Sequence, residues 1–195
     1  MPDAKLQDSR KAVAERNVEA ILDGAERLLQ RGKQASISAV ATEAGVSRVT
    51  VYAHFRDRRR LLEALVERAV GRALTAVESA EPDRGPAVDA VGRVIAASWE
   101  AVDRNEEIAR AAAAELSADA MRRAHEAARG VFRRLVERGR SEGTFRTDVS
   151  ADWLATVFLA LIHATAEEVR AGELERDAAV DALRVTVADL FVGRG

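Results

Sequence analysis

Hydrophobic residues recur every three or four positions along most of the chain, which is the spacing of one face of an α-helix. One such stripe runs from Val18 to Leu29, and another runs from Leu61 to Val77. This spacing predicts an all-α fold of about nine helices. After a first helix that ends at Gly32, we expect them at residues 36–44, 48–55, 58–79, 87–103, 106–114, 117–141, 150–171 and 176–192.

One short stretch, Val46–Tyr52, departs from this pattern because it is β-branched and nearly alternating, as in a strand. No other segment offers it a partner strand, and a lone strand leaves its backbone groups unpaired. We therefore interpret it as a short helix that begins after Ser47, a good N-cap residue, and that Val51 and Phe55 anchor by packing. The outward face of this helix then carries Arg48, Val49, Tyr52 and Ala53.

This interpretation predicts a helix-turn-helix. Ser36 can cap the helix before the turn, and Gly45 stands where a helix end needs a left-handed residue. The second helix is then available for a DNA major groove. Arg58–Arg60 occupy the first turn of the following helix, where the helix dipole makes positive charges unfavourable. Phosphates bound at this helix end would make the arrangement favourable, because they interact with both the arginines and the backbone N–H groups.

The charge distribution also favours a polyanionic partner for the N-terminal third. Residues 1–60 contain 12 Lys and Arg against 8 Asp and Glu, whereas the rest of the chain contains 18 against 24. A basic segment on an acidic remainder is typical of nucleic-acid binding. The formal net charge of −2 decides nothing by itself.

The clearest interruption of the helical pattern is Ala80–Pro86, which holds two of the three prolines. We place a domain boundary there. The predicted organisation is a flexible N-terminal arm at residues 1–15, a helix-turn-helix domain at 16–60, a connecting helix at 58–79 and a second helical domain at 80–195.

The last two predicted helices are apolar nearly all round, so they need cover on two sides. In a domain of this size the second cover is expected to be another subunit. The residues predicted to form this homodimer interface are Leu154, Val157, Phe158, Leu161, Ile162, Leu183, Val187, Leu190 and Phe191.

Large or polar side chains are scattered among alanines in the second domain, and such packing can leave a cavity between helices. The residues considered as contacts for a small molecule are Trp99, Asp103, Met121, His125, Phe132, Phe158 and His163. The alternative is that the large side chains are ordinary core residues and that His163 is a satisfied core or interface histidine.

Several other sites are excluded or disfavoured. The chain has no cysteine, which excludes disulfides and thiolate metal sites. Gly139–Gly143 matches Gly-x-Ser-x-Gly, but no strand precedes Ser141, so a hydrolase is a weak alternative. His125-Glu126 lacks the second histidine of a zinc motif because Arg129 stands there. The apolar runs are too short for a membrane span, so we expect a cytoplasmic protein without metal or cofactor.

The segment SISAVATEAGVSRVTVYAHFRDRRRLLEAL, residues 36–65, resembles the DNA-binding segment of the TetR family of transcriptional regulators. The rest of the chain agrees with that family only in length and helical pattern. The resemblance implies a homodimer that binds a near-palindromic operator in double-stranded DNA and is released by a small-molecule effector. A transcriptional activator, an effector-independent regulator and a non-specific DNA binder are the alternatives.

The resemblance also implies roles for particular residues. Arg48 and Val49 occupy positions that touch base edges, although Val49 replaces the small residue common in the family. Arg58 stands in place of a lysine that binds phosphate. The full set expected at the DNA is Ser36, Ser47, Arg48, Val49, Thr50, Tyr52, Ala53, His54 and Arg58.

Overall fold

Helices are the only regular elements in the computed structural model, which describes the backbone of residues 2–192 and the side chains of residues 11–192. This confirms the predicted all-α class. The helices are α1 Pro2–Gln30, α2 Ile37–Ala44, α3 Arg48–His54, α4 Arg58–Ser79, α5 Ala87–Arg104, α6 Glu106–Glu115, α7 Ala118–Ala124, α8 Glu126–Ser141, α9 Ala151–Ala171 and α10 Arg176–Val192.

Two helix boundaries differ from those expected. The backbone is already helical at Pro2, so α1 includes residues 2–15, which had been predicted as a flexible N-terminal arm. The single helix expected at residues 117–141 is divided into α7 and α8 at His125, whose ψ of 2° departs from helical geometry. The described part of the chain therefore holds ten helices where about nine were predicted.

The chain divides into two compact units, and the division does not follow the expected boundary at residues 80–86. The first unit contains the residues up to Arg68 together with Glu107–Met121. The second contains Ala69–Glu106 and the residues from Arg122 onward.

In the first unit, α1 packs closely against α2 and α3 because small and apolar residues meet there. A Cβ atom on Gly24 would lie 3.1 Å from the backbone nitrogen of Ala44, so α1 and α2 approach each other where glycine leaves room. Arg68 of α4 is bound to α1 by ion pairs, at 2.7 Å to Asp23 and 2.6 Å to Glu26. The buried side chains of the first unit include Ile21, Leu22, Leu28, Leu29, Val40, Val51, Leu61, Leu62 and Leu65.

In the second unit, α5, α8, α9 and α10 surround a core of aliphatic and aromatic side chains. The rings of Phe132 and Phe158 lie 4.1 Å apart between their centroids. Phe145, just after α8, packs edge-on against Phe191 of α10 and lies directly over Gly139.

The loop at residues 80–86 is fixed by arginines of the second unit. Arg93 donates to the carbonyl oxygens of Ala80, Glu81 and Arg84 at 2.7–2.9 Å. Arg138 donates to the carbonyl oxygen of Pro82 at 2.8 Å. These bonds satisfy loop carbonyls that would otherwise lack partners.

Among residues 2–192, no helix combines the length and the apolar character that a membrane crossing requires.

Candidate nucleic-acid interface

Helix α2 and the turn after it are fixed by local capping. The Ser36 hydroxyl accepts a hydrogen bond from the backbone N–H of Ala39 at 3.2 Å. Gly45 adopts the left-handed conformation, with φ 68° and ψ 27°, and Val46 N–H reaches back to the carbonyl oxygen of Ala41 at 3.0 Å. This is the usual glycine-terminated helix end. It turns the chain into α3 after only two further residues.

Helix α3 forms where the β-branched stretch had suggested a strand. Ser47 caps it, since its hydroxyl accepts from the backbone N–H of Thr50 at 3.0 Å and lies 2.8 Å from the Thr50 hydroxyl. Val51 is fully buried and Phe55 is almost so. Seven residues are too few for a stable isolated helix, so this packing holds α3 in place.

The outer face of α3 is the one that was predicted. The side chain of Val49 is 78% exposed and that of Tyr52 is 56% exposed. Arg48 and Ala53 are exposed as well.

The two predicted residues at the flanks of α3, Thr50 and His54, are partly buried. Thr50 takes part in the capping bonds with Ser47, and His54 is the last residue of the helix. Ser36 and Ser47, both expected at the DNA, are exposed at the starts of α2 and α3.

Arg48 leans across the outer face towards α2. Its guanidinium donates a hydrogen bond to the hydroxyl of Ser38 at 3.2 Å. Both residues are exposed. The bond connects the two helices of the helix-turn-helix on the side that faces solvent.

Arg58 is bound by groups of its own chain, whereas an open phosphate contact had been expected. Its Nε donates to the carbonyl oxygen of Ala35 at 3.1 Å, immediately before the Ser36 cap. Its guanidinium also forms an ion pair with Glu115, the last residue of α6. Arg58 therefore lies beside the start of α2, where backbone N–H groups favour an anion.

The other arginines at the start of α4 have acidic partners. Arg60 and Arg59 both pair with Glu63, at 2.6 Å and 3.3 Å. The Arg60 side chain is the main cause that lowers the pKa of Glu63 below its usual value. Asp57 caps α4 by accepting from the backbone N–H of Arg60 at 2.9 Å, and this bond is the main cause of its lowered pKa.

The residues predicted to contact a small molecule are mostly core or paired residues. Trp99, Phe132 and Phe158 are no more than 5% exposed and belong to the core of the second unit, which is the alternative that had been left open. Asp103 forms an ion pair with Arg176. Met121 is partly buried in α7.

His125 and His163, both predicted as contacts for a small molecule, lie next to each other in the second unit. Their rings meet edge-on with centroids 5.6 Å apart. Burial lowers the pKa of His163 below its ordinary value of 6.5, and His125 lowers it further. Ser98 on α5 is 6% exposed, and its hydroxyl has no hydrogen-bond partner among the described residues.

The predicted dimer interface needs a correction. Six of its nine residues are at most 2% exposed and pack into the core of their own chain, so their side chains cannot contact another subunit. These six are Leu154, Phe158, Ile162, Leu183, Val187 and Phe191. Val157, Leu161 and Leu190 are partly exposed. Three large apolar side chains outside the predicted set, those of Trp153, Val185 and Val192, are 57%, 66% and 48% exposed.

Ser141 does not have the setting of a catalytic serine. It is the last residue of α8, and its hydroxyl donates to the carbonyl oxygen of Arg138 at 2.7 Å. A nucleophile elbow requires a strand before the serine, and a helix precedes it here. Within residues 11–192, no three His, Cys, Asp or Glu side chains cluster as metal ligands.

The family model described as "Bacterial regulatory proteins, tetR family" matches residues 21–65. The HTH-type transcriptional repressor LfrR of Mycolicibacterium smegmatis is 37% identical over 81 residues, which cover 42% of this chain and 43% of that protein. The alignment thus spans less than half the length of this curated relative.

Solved structures share the fold over nearly the whole chain. A Rhodococcus sp. RHA1 protein of unknown function is 25% identical, with a TM-score of 0.75 over 91% of this chain and 96% of that one. The TetR-like regulator LfrR from Mycobacterium smegmatis in complex with proflavine is 24% identical, with a TM-score of 0.68 over 92% of this chain and 98% of that one. The latter similarity supports the fold alone.

Proposed function

We propose that the chain, whose residues 21–65 match the tetR family of bacterial regulatory proteins, is a DNA-binding transcriptional regulator. The observation that carries this proposal is the outer face of α3. Arg48, Val49 and Tyr52 stand exposed there on a helix whose other side is anchored by buried Val51. A helix held in this way by its own domain can enter a major groove without changing its conformation.

The chemistry of this face suits base recognition. A guanidinium can bond to O6 and N7 of guanine together, and a valine side chain can pack on a thymine methyl group. Tyr52 can donate its hydroxyl to a phosphate. The start of α2, capped by Ser36 and flanked by Arg58, is suited to a second phosphate.

A single α3 covers few base pairs, so the proposal includes a homodimer that reads two half-sites. Trp153, Val157 and Leu161 follow one another at intervals of four residues along α9, and all three are at least partly exposed. Val185 and Val192 add exposed apolar surface on α10, which packs against α9. A stable dimer would bury more than about 1,000 Å² in total.

We further propose that the second unit binds a small-molecule effector, and that this binding lowers the affinity of the protein for DNA. LfrR was solved with proflavine. In this chain the support is the half-buried pair His125 and His163 and the unpartnered hydroxyl of Ser98. The regulator would then be a cytoplasmic repressor that is associated with the nucleoid while its operator is occupied.

Binding to DNA tests the proposal directly. Labelled duplexes from the region beside the protein's own gene are titrated at several salt concentrations, with a scrambled duplex of equal length as control. We expect binding to one palindromic duplex to be at least about a thousandfold tighter than to the scrambled one. Equal affinity for both would leave a non-specific DNA binder, and no binding at all would refute the proposal.

The effector arm needs a separate titration. Metabolites and antibiotics are screened by the shift that they cause in thermal unfolding, and each hit is titrated with and without operator. Linkage requires that a ligand which weakens the operator complex is itself bound more weakly by the DNA complex, by the same factor. Hits that bind equally well in both conditions would exclude effector control by those compounds.

A further inference from the structure

Arg58 and Glu115 form an ion pair although each stands at the wrong end of its own helix. Arg58 is the first residue of α4, and Glu115 is the last residue of α6. A helix dipole favours anions at its start and cations at its end, so each charge is unfavourable where it stands. The two side chains form an ion pair within the first unit, and this attraction offsets the unfavourable interaction of each charge with its own helix dipole.

The ion pair lies beside the start of α2. The Nε of Arg58 is directed there by its hydrogen bond of 3.1 Å to the carbonyl oxygen of Ala35. The next residue, Ser36, caps α2. An anion beside this guanidinium is therefore also near the N-terminus of an eight-residue helix. In the free chain, the anion that Arg58 holds is the carboxylate of Glu115.

A carboxylate and a DNA phosphate use the same chemistry on a guanidinium, since both offer negatively charged oxygens to its N–H groups. The Arg58 side chain is 29% exposed and that of Glu115 is 31% exposed, so water and ions can reach the pair. The contact is therefore open to exchange. A phosphate that approaches Arg58 has to replace Glu115 or share the guanidinium with it.

We propose that Glu115 is an intramolecular competitor of the operator phosphate for Arg58, and so a residue that sets the DNA affinity of the regulator. This inference rests on the proposed function. It assigns a regulatory part to the end of α6, outside the helix-turn-helix. Separation of Glu115 from Arg58 would free the guanidinium for DNA, and a firmer pair would keep it occupied.

The test uses Glu115→Gln, which keeps the shape of the side chain and removes its charge. We expect the operator complex to tighten by about two- to five-fold per half-site, because partly exposed ion pairs contribute little. The salt dependence should become steeper by up to about one unit per half-site, because no carboxylate of the chain then neutralises Arg58 before the phosphate arrives. Glu115→Ala serves as a second variant, and thermal unfolding checks that both are folded.

Glu107→Gln is the matched control. It removes one negative charge from the same helix and the same unit, and Glu107 is paired with Arg110 within α6. It should change the affinity for the operator less than Glu115→Gln does. In an Arg58→Ala background, Glu115→Gln should have no further effect, because the contested guanidinium is gone.

The outcomes separate the two proposals. Specific operator binding by the wild-type chain, with unchanged or weaker binding by Glu115→Gln, would overturn the competition and leave the proposed function intact. Weaker binding in particular would mean that Glu115 positions Arg58 for DNA. A wild-type chain that binds no duplex would refute the proposed function and this inference with it.

Discussion

The Arg48 guanidinium donates to the Ser38 hydroxyl at 3.2 Å, so the first residue of α3 is held against α2 on the exposed side of the helix-turn-helix. An arginine side chain that a hydrogen bond already holds in one conformation loses less conformational entropy on binding a base than a freely rotating arginine does.

Arg48→Ala should weaken binding to the operator by about 1–3 kcal/mol and relax the sequence preference at one position in each half-site. The physical reason is the loss of a bidentate contact to a base edge. Fluorescence anisotropy with single-base operator variants measures both effects. Arg84→Ala is the control, because it removes an exposed arginine from a loop of the second unit. An unchanged preference in Arg48→Ala would contradict the docking of α3 proposed above.

Much of the fold could be predicted because local sequence signals decide it. Ser36, Gly45 and Ser47 act through bonds to residues at most five positions away, and all three have the predicted roles. The stretch around Val51 required the additional argument that a strand would lack a partner. The N-terminal extent of α1 was missed because residues 2–15 carry no clear apolar stripe, and the break at His125 is marked by neither glycine nor proline.

The parts that were missed depend on contacts between distant residues. Arg58 and Glu115 are far apart in the sequence, so no local sequence pattern predicts their ion pair. Likewise, a helix that is apolar all round does not reveal which side faces its own core. The pattern of α9 included both buried Leu154 and exposed Trp153, and only the packing separates them.

Gly139→Ala should destabilise the chain strongly. A Cβ atom at this position would lie 2.0 Å from the Phe145 ring, which is itself 5% exposed and packed against Phe191. Overpacking of this kind costs about 1–3 kcal/mol or more in the free energy of unfolding. Urea unfolding measures it.

Gly92→Ala provides the matched control for that substitution. Gly92 lies inside α5, and its added Cβ would meet nothing within 4 Å. Alanine is the better helix former, so this variant should be more stable by up to about 1 kcal/mol. Equal effects of the two substitutions would mean that the ring of Phe145 does not fill the space over Gly139.

The pair His125 and His163 should make stability depend on pH. Burial and the neighbouring histidine lower the pKa of His163 in the folded chain, although Glu167 acts in the opposite direction. Between that lowered value and the unfolded value of about 6.5, the unfolded chain binds more protons. The free energy of unfolding should therefore decrease as the pH falls through 6.5, and this contribution should level off below the folded pKa.

Urea unfolding of the wild type and of His163→Gln, at intervals from about pH 5 to 7.5, measures this contribution. The difference between the two curves should grow with falling pH and never exceed about 1.4 kcal/mol per pH unit, the limit for one proton. His54→Gln, which leaves the pair intact, is the control. Parallel curves for the wild type and His163→Gln would exclude a lowered pKa at His163.

Val185→Glu should convert the proposed homodimer into a monomer. Val185 is 66% exposed on α10, and a glutamate buried without a partner in an interface is costly because the charge loses its hydration. Val88→Glu is the matched control, since Val88 is a valine that is 44% exposed on α5 in the same unit. Sedimentation at micromolar concentration should give a dimer for the wild type and Val88→Glu, and a monomer for Val185→Glu.

The monomer should also lose most of its affinity for the palindromic duplex, because each half-site is then bound separately without the gain in effective concentration. If Val185→Glu remained a dimer and Val88→Glu did not, the interface would involve α5, and the proposed face of α9 and α10 would be wrong.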